Sequence, residues 1–150
     1  MNRKIFFQGL EYYEVISKTG RTWLDRNIGA EKVADSPDDK WSYGKYYTFD
    51  EIICPAGYRL PTISEWEDEI NSWDTRRIYG AIFSPLRLPA SGFRISLSAA
   101  LKDIGIVGHY WADNLDENYS GKKLIFSDER ADTYEADLRS FNSVRLIRNK

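Results

Sequence analysis

One short polar stretch crowds oxygen ligands into six residues. Its donors are Asp113, Asn114, Asp116, Glu117 and Asn118. Carboxylate and amide oxygens of this kind bind Ca²⁺ when several of them converge on one point. Their spacing matches no established calcium loop, so a solvated loop is the alternative interpretation. We expect neither a bound metal nor any other cofactor.

Tyr119, on the same stretch, has the chemistry of a contact residue. An exposed tyrosine among small polar residues buries a large area on binding and loses little rotamer freedom. A second polar stretch, residues 127–142, adds four candidate ligand-binding side chains: Tyr134, Arg139, Phe141 and Asn142. If the two stretches lie on one face, they form a binding patch. An interface with a sister subunit is the competing interpretation.

Nucleophilic catalysis would need a base beside the thiol. Cys54 is the only cysteine and His109 the only histidine, so neither a disulfide nor a Cys/His zinc cluster is available within the chain. A lone thiol is more commonly buried and unreactive. The aspartates Asp35, Asp38 and Asp39 lack the spacing of an EF-hand, which favours a solvated loop. We therefore predict a protein that is not an enzyme.

A helix is predicted over residues 63–73, directly after a compact turn. Residues 54–66 read Cys-Pro-Ala-Gly-Tyr-Arg-Leu-Pro-Thr-Ile-Ser-Glu-Trp. Thr62 and Glu65 have the spacing of a capping box at the start of a helix. Apolar residues at positions 63, 66, 70 and 73 share one face, on which Trp66 anchors the helix to the core. The carboxylates at 65, 67, 68 and 69 are predicted to lie mostly on solvated faces.

The other elements are short. We predict a hairpin from residues 12–17 and 22–26, a capped helical turn at 49–53, and β-like runs and turns between 76 and 109. Strands are predicted at 109–112, 124–126 and 143–148, with polar loops at 113–123 and 127–142. This pattern indicates an α+β domain with long irregular loops in its C-terminal half, where binding functions commonly lie.

Bulk properties exclude several classes of function. The net charge is −2, and neither half of the chain has the Lys/Arg stripe of a nucleic-acid binder. Apolar runs are too short for membrane insertion, and the N-terminus lacks the apolar core of a signal peptide. We therefore expect synthesis in the cytoplasm without export by the general route. The length of 150 residues is typical of a single domain.

Five segments, in order, resemble a bacterial family, the Fibrobacter succinogenes major paralogous domain. The resemblance covers roughly residues 10–148 and is carried by residues 22–30 (Thr-Trp-Leu-Asp-Arg-Asn-Ile-Gly-Ala), 43–48 (Tyr-Gly-Lys-Tyr-Tyr-Thr), 54–66, 88–94 (Leu-Pro-Ala-Ser-Gly-Phe-Arg) with Tyr110 and Trp111, and 143–145 (Ser-Val-Arg). The family is similar to C-type lectin-like domains and to formylglycine-generating (sulfatase-modifying) enzymes. Similar domains serve as display scaffolds in phage tail and bacterial surface proteins.

The resemblance implies a single C-type lectin-like domain over residues 1–150, with two helices packed on a twisted, mostly antiparallel sheet. Two departures limit what it implies about activity. The chain has no cysteine pair late in the sequence to hold copper, and it lacks the Glu-Pro-Asn and Trp-Asn-Asp motifs of calcium-dependent lectins. Neither activity carries over, so we expect ligand contacts in the loops after Trp111.

The resulting hypothesis is a non-catalytic phage virion component: a receptor-binding, tail or head-decoration protein. It would recognise a host-surface glycan or protein, or a neighbouring virion subunit, as a homo-oligomer or docked on a larger assembly. A purely architectural assembly subunit is one alternative. An enzyme related to the sulfatase-modifying group is another. For the location, the alternative to a virion is a cytoplasmic or extracellular bacterial protein.

Overall fold

The computed structural model describes residues 3–113 and 120–150, which form an α+β fold with two helices on a curled antiparallel sheet arrangement. The elements are β1 (Lys4–Phe7), β2 (Leu10–Ile16), β3 (Thr22–Leu24), 3-10 turns at Lys40–Ser42 and Phe49–Glu51, β4 (Tyr58–Arg59), α1 (Ile63–Ser72), α2 (Ile78–Phe83), β5 (Gly108–Ala112), β6 (Gly121–Phe126), β7 (Ala131–Ala136) and β8 (Ile147–Arg148). The predicted α+β class is confirmed. No helix within these ranges combines the length and the apolar character needed to cross a bilayer.

A five-stranded antiparallel sheet joins the two ends of the chain in the order β1-β2-β3-β8-β4. The predicted hairpin is confirmed as β2 and β3, with Val15 opposite Trp23. The predicted last strand is shorter than expected, because only Ile147 and Arg148 lie in β8. Trp23 pairs with Ile147, so the N-terminal hairpin and the C-terminal strand share one core.

Helix α1 begins and packs as its sequence predicts. Thr62 accepts a hydrogen bond from the backbone N–H of Glu65 at 3.1 Å, and Glu65 accepts one from the Thr62 N–H at 2.8 Å. Trp66 is fully buried and donates through Nε1 to the Trp111 carbonyl at 3.2 Å. The prediction for Glu69 was wrong: this carboxylate is fully buried and accepts a hydrogen bond from Trp73 Nε1 at 3.1 Å. Its position on the helix lies beside the apolar face, which therefore includes one acid.

Helix α2 stands where β-like runs were predicted. Its N-cap, Arg77, makes no side-chain capping bond, and the helix is only six residues long. Tertiary packing holds it instead: Ala81 and Ile82 are buried, and Gly80 lies so close to the preceding turn that an added Cβ would come within 1.8 Å of the Thr75 carbonyl oxygen. Packing therefore selects a helix that local sequence does not favour.

A three-stranded antiparallel sheet, in the order β5-β6-β7, forms the second half of the core. All five residues of β5 are buried, which confirms the predicted strand. Strand β6 begins at Gly121, earlier than predicted. Strand β7 corrects the prediction of a continuous polar loop over 127–142. Only its first and last residues, Ala131 and Ala136, are buried, so this edge strand carries almost no apolar signal.

A buried arginine ties the segments of the family resemblance together. Arg145 is 1% exposed and donates through Nε and Nη2 to Asn27 Oδ1, at 3.1 and 2.9 Å. It also donates to the carbonyls of Leu86 and Arg87. Asn27 in turn donates to Tyr110 Oη at 3.0 Å. Among the described residues each of its hydrogen-bond acceptors is a neutral oxygen, and burial lowers the pKa of Arg145 to about 10. This network fixes the interior on which the surface loops rest.

Candidate binding surface

The structure places only part of the predicted first loop. Asp113 follows β5 with its side chain exposed, and its backbone N–H donates to the Pro61 carbonyl at 2.8 Å. The other candidates of this loop lie outside the described residues: Asn114, Asp116, Glu117, Asn118 and Tyr119. Their predicted role as ligand contacts stays a prediction.

Tyr134 and Arg139 are exposed, as a contact role requires. Tyr134 is 37% exposed, but it lies in β7 opposite Lys123 and not in a loop, which corrects the prediction. Arg139 follows β7 with a side chain that is 89% exposed. Its Nε and Nη2 each lie 3.3 Å from an oxygen of Asp137, forming a bidentate surface ion pair.

Phe141 and Asn142 do not lie on an exposed loop, which corrects their placement. Phe141 is 9% exposed, and the Arg94 guanidinium lies 4.7 Å from its ring. Asn142 is fully buried and accepts a hydrogen bond from Lys123 Nζ at 3.1 Å. The backbone pairs with Arg94 and with Tyr47 draw this segment into the fold. These two residues support the surface and do not present side chains to a ligand.

An open depression of about 660 Å³ lies beside the end of β7. We call it the β7 depression, and its lining residues are Asp50, Ser120, Glu135, Ala136, Asp137, Leu138 and Arg139. The 3-10 turn that carries Asp50 is held against this segment by a hydrogen bond from the Phe49 N–H to the Leu138 carbonyl at 3.4 Å. Rigid elements on both sides therefore position its polar groups.

The chemistry of the β7 depression suits a ligand rich in hydroxyl groups. Asp50, Glu135 and Asp137 supply carboxylate acceptors, and Arg139 supplies several N–H donors. Charged groups make stronger hydrogen bonds than neutral ones, and adjacent hydroxyls can bridge a carboxylate and a guanidinium. The Asp137–Arg139 pair holds both side chains in place before any ligand arrives.

A second group of residues, not anticipated from the sequence, surrounds the buried side chain of Lys123. Lys123 is 6% exposed, and burial lowers its pKa to about 8. Its Nζ lies 4.4 Å from the centre of the Phe93 ring, and that ring packs 4.2 Å from the ring of His109. His109 Nε2 lies 3.1 Å from an oxygen of Asp103. Burial, and then the charge of Lys123, lower the pKa of His109 to about 4, so its ring is neutral at pH 7.

This group connects the sheet to the segment 91–107. Phe93 and Asp103 belong to that segment, whereas His109 and Lys123 lie on β5 and β6. Because the Lys123 and His109 side chains are both buried, they have a structural role and do not present groups to a ligand. No local sequence signal identifies this group, because the residues that contact Lys123 are distant from it in the sequence.

The other residues considered for catalysis or metal binding, Cys54 and the aspartates at 35, 38 and 39, do not line the β7 depression. Cys54 packs against the apolar cluster that contains Tyr58, Leu60 and Trp111, and burial raises the pKa of its thiol. In the aspartate loop, Lys32 pairs with Asp35 and lies 2.8 Å from Asp39. Across residues 3–113 and 120–150, no group of three or more His, Cys, Asp or Glu side chains is arranged to hold a metal ion.

Comparisons with protein-family models, with curated proteins and with solved structures found no match to this chain. The family resemblance and the function it implies therefore remain predictions.

Proposed function

We propose that this chain is a non-catalytic binding module with a C-type lectin-like fold, and that it serves as a phage virion component. In this proposal the β7 depression recognises a glycan on the host surface. The observation that carries the proposal is the depression itself: an open hollow of about 660 Å³ in which carboxylates and the Arg139 guanidinium lie together. Open sites with such groups suit extended, hydroxyl-rich polymers.

The interior supports the lectin-like assignment of the scaffold. Three of the segments that carry the family resemblance meet at Asn27, Tyr110 and Arg145, which share one buried hydrogen-bond network. Residues in these motifs are therefore used for support. In this proposal the surface beside β7 contacts the ligand, as in other scaffolds that present loops on a rigid frame.

A glycan array with the purified chain tests ligand recognition. We expect binding to a defined set of bacterial surface glycans, with a loss of at least about tenfold in the double variant Glu135→Ala/Arg139→Ala. Arg130→Ala is the matched control, because Arg130 is exposed but lies outside the depression. Absence of binding to every glycan, or equal binding by the double variant, would contradict the proposal.

We also propose an assembly role, because a specific surface favours it. Large apolar side chains are exposed on α2 and on the segment that follows it. Phe83 is 73% exposed, Leu97 is 74% exposed and Ile106 is 63% exposed. Phe83 and Ile106 each line a groove that Tyr79 also lines, and exposed apolar surfaces of this kind mark interfaces with other proteins. A virion subunit that is repeated many times would use such a surface to contact its neighbours.

A further inference from the structure

Two shallow grooves flank the exposed side of α2 and share one residue, Tyr79. The first holds about 120 Å³ and is lined in part by Trp73 and Phe83. The second holds about 330 Å³ and is lined in part by Ile78 and Ile106. Tyr79 lines both, and we call the two grooves together the α2 groove. Tyr79 is 50% exposed, so the middle of this surface is open.

The same chain carries a projecting apolar segment. Phe93 and Lys102 pair through two backbone hydrogen bonds of 3.0 and 2.7 Å, which close the loop formed by residues 94–101. We call this loop the apolar tip. It exposes Ile95 and Leu97, which are 54% and 74% accessible. Because Ile106 in the groove is also exposed, the tip of a given molecule does not cover the groove of that molecule.

The two surfaces have complementary charge. Asp38 and Asp128 lie in the wall of the second groove and give it a negative end. Lys102 is exposed at the base of the apolar tip. Within residues 3–113 and 120–150, neither the Lys102 ammonium nor the Asp128 carboxylate forms an ion pair. An apolar contact with opposite charges at its border is the arrangement that sets register and orientation between proteins.

We propose that the apolar tip of one copy of this chain binds in the α2 groove of the next copy. Leu97 and Ile95 would cover Tyr79, Phe83 and Ile106, and Lys102 would face Asp38 and Asp128. Since tip and groove are different surfaces, the contact is head-to-tail, and repeated contacts produce a ring or a filament. The inference rests on the assembly role proposed above, but it does not depend on ligand binding at the β7 depression.

Sedimentation of mixed variants tests this arrangement. Leu97→Glu removes the tip and Tyr79→Glu removes the groove, so each variant alone is expected to be a monomer. A mixture of the two retains one intact tip and one intact groove. It is therefore expected to form a dimer of one copy of each variant and nothing larger. Ile53→Glu is the control, since Ile53 is 65% exposed but lines neither groove, and it is expected to associate like the unmodified chain.

A charge exchange provides a second, independent test. Lys102→Glu is expected to weaken self-association at least about tenfold, because it places an acid opposite Asp38 and Asp128. Mixing it with a variant that carries Asp38→Lys and Asp128→Lys is expected to restore association. Circular dichroism confirms that each variant is folded before its association is measured.

Three results would overturn the proposal. The first is an unmodified chain that stays monomeric in sedimentation up to about 1 mM. The second is a mixture of Leu97→Glu and Tyr79→Glu that remains monomeric. In a symmetric contact each variant would damage one half of the interface, so mixing the two would not restore association. The third is association that neither substitution affects. Loss of glycan binding in Glu135→Ala/Arg139→Ala leaves all of these measurements unchanged, so the two proposals fail separately.

Discussion

Arg145 and Asn27 are 118 positions apart in the chain, yet two guanidinium nitrogens donate to the one amide oxygen of Asn27, at 3.1 and 2.9 Å. Arg145 is almost completely buried, and within residues 3–113 and 120–150 it donates only to the Asn27 amide oxygen and to two backbone carbonyls. A buried charge held only by neutral oxygens depends on each of them. Loss of the Asn27 side chain is therefore expected to destabilise the fold strongly.

The first prediction follows from that dependence. Asn27→Ala removes the oxygen that accepts both bonds and leaves part of the Arg145 charge without a partner. We expect the free energy of unfolding to fall by about 3 kcal/mol. Urea denaturation followed by tryptophan fluorescence measures it. The control, Asn149→Ala, changes an exposed residue and is expected to alter stability by less than about 0.5 kcal/mol. A cost for Asn27→Ala as small as the control would contradict the assigned role.

The second prediction concerns the loss of folding stability at acid pH, to which Glu65 contributes. Burial raises the pKa of Glu65, but hydrogen bonds from Arg59, from the Thr62 backbone and from Arg21 outweigh it and hold the pKa at about 2. Arg59 donates to its two oxygens at 2.7 and 2.9 Å. A lowered folded pKa gives stability that is complete above the ordinary value of 4.5 and is lost as pH falls toward 2.

In the Glu65→Gln variant we expect this acid-dependent loss to shrink by about 2 kcal/mol between pH 5 and pH 2. Stability at each pH is measured by thermal unfolding. The control, Asp68→Asn, changes an exposed carboxylate on the same helix and is expected to keep the wild-type dependence. A Glu65→Gln profile parallel to the wild type would show that the ion pairs do not govern the acid response.

The third prediction concerns Glu69, whose effect on stability has the opposite pH dependence to that of Glu65. Glu69 is fully buried, and burial raises the pKa of its carboxyl group above the ordinary value. A carboxyl with a raised folded pKa stabilises the fold most below the unfolded pKa, and the contribution is lost as pH rises through the folded value. Glu69→Gln keeps an acceptor for the Trp73 indole N–H and removes the charge.

We therefore expect Glu69→Gln to raise the free energy of unfolding by about 1 kcal/mol at pH 7 and to change it little at pH 4. Chemical denaturation at the two pH values measures the difference. Glu67→Gln is the control, because Glu67 lies on the exposed side of the same helix. Destabilisation by Glu69→Gln at pH 7 would indicate that the ionised carboxylate is required.

The fourth prediction concerns the buried lysine. The pKa of Lys123 falls from 10.5 to about 8 because burial disfavours its charged form. The unfolded chain binds the proton more tightly in this window, so stability is expected to rise with pH between about 8 and 10.5. Lys123→Met is expected to remove that rise.

Thermal unfolding from pH 7 to pH 10.5 provides the measurement for Lys123. The control, Lys122→Met, changes the next residue of the same strand, which faces Glu135 across the ladder. It is expected to keep the rise. If Lys123→Met and the wild type have equal slopes, the lysine does not titrate in the folded protein as proposed.

Local signals in the sequence predicted the elements that they control directly. The capping box of Thr62 and Glu65 and the apolar face through Trp66 specify α1, and both are present in the structure. The hairpin of β2 and β3 follows from β-branched and aromatic runs around a turn. The α+β class follows from these elements together.

Elements that depend on tertiary packing were not predictable in the same way. Helix α2 has no capping side chain and contains Gly80, so only its close packing on the preceding turn selects the helix. Strand β7 buries only its two terminal alanines and is specified by its pairing with β6. Buried polar partners such as Lys123 and Asn142 are separated by 19 positions, and no local pattern indicates that they meet.

The candidate site was predictable only in part, for a related reason. Arg139 is exposed beside β7 as expected, whereas Phe141 and Asn142 are buried because their backbone pairs with distant segments. A run of polar residues indicates exposure on average, but it does not show which members turn inward. The β7 depression also includes Asp50, which comes from a turn almost ninety positions earlier in the chain.

The most direct test of the central claim is binding of the fluorescently labelled chain to a panel of intact bacteria, measured by flow cytometry. We predict saturable binding to particular strains that soluble surface polysaccharide from the same strain abolishes. The Glu135→Ala/Arg139→Ala variant is expected to lose it and Arg130→Ala to retain it. Binding to no strain, or binding that the polysaccharide and the double variant leave unchanged, would contradict recognition of a host glycan at the β7 depression.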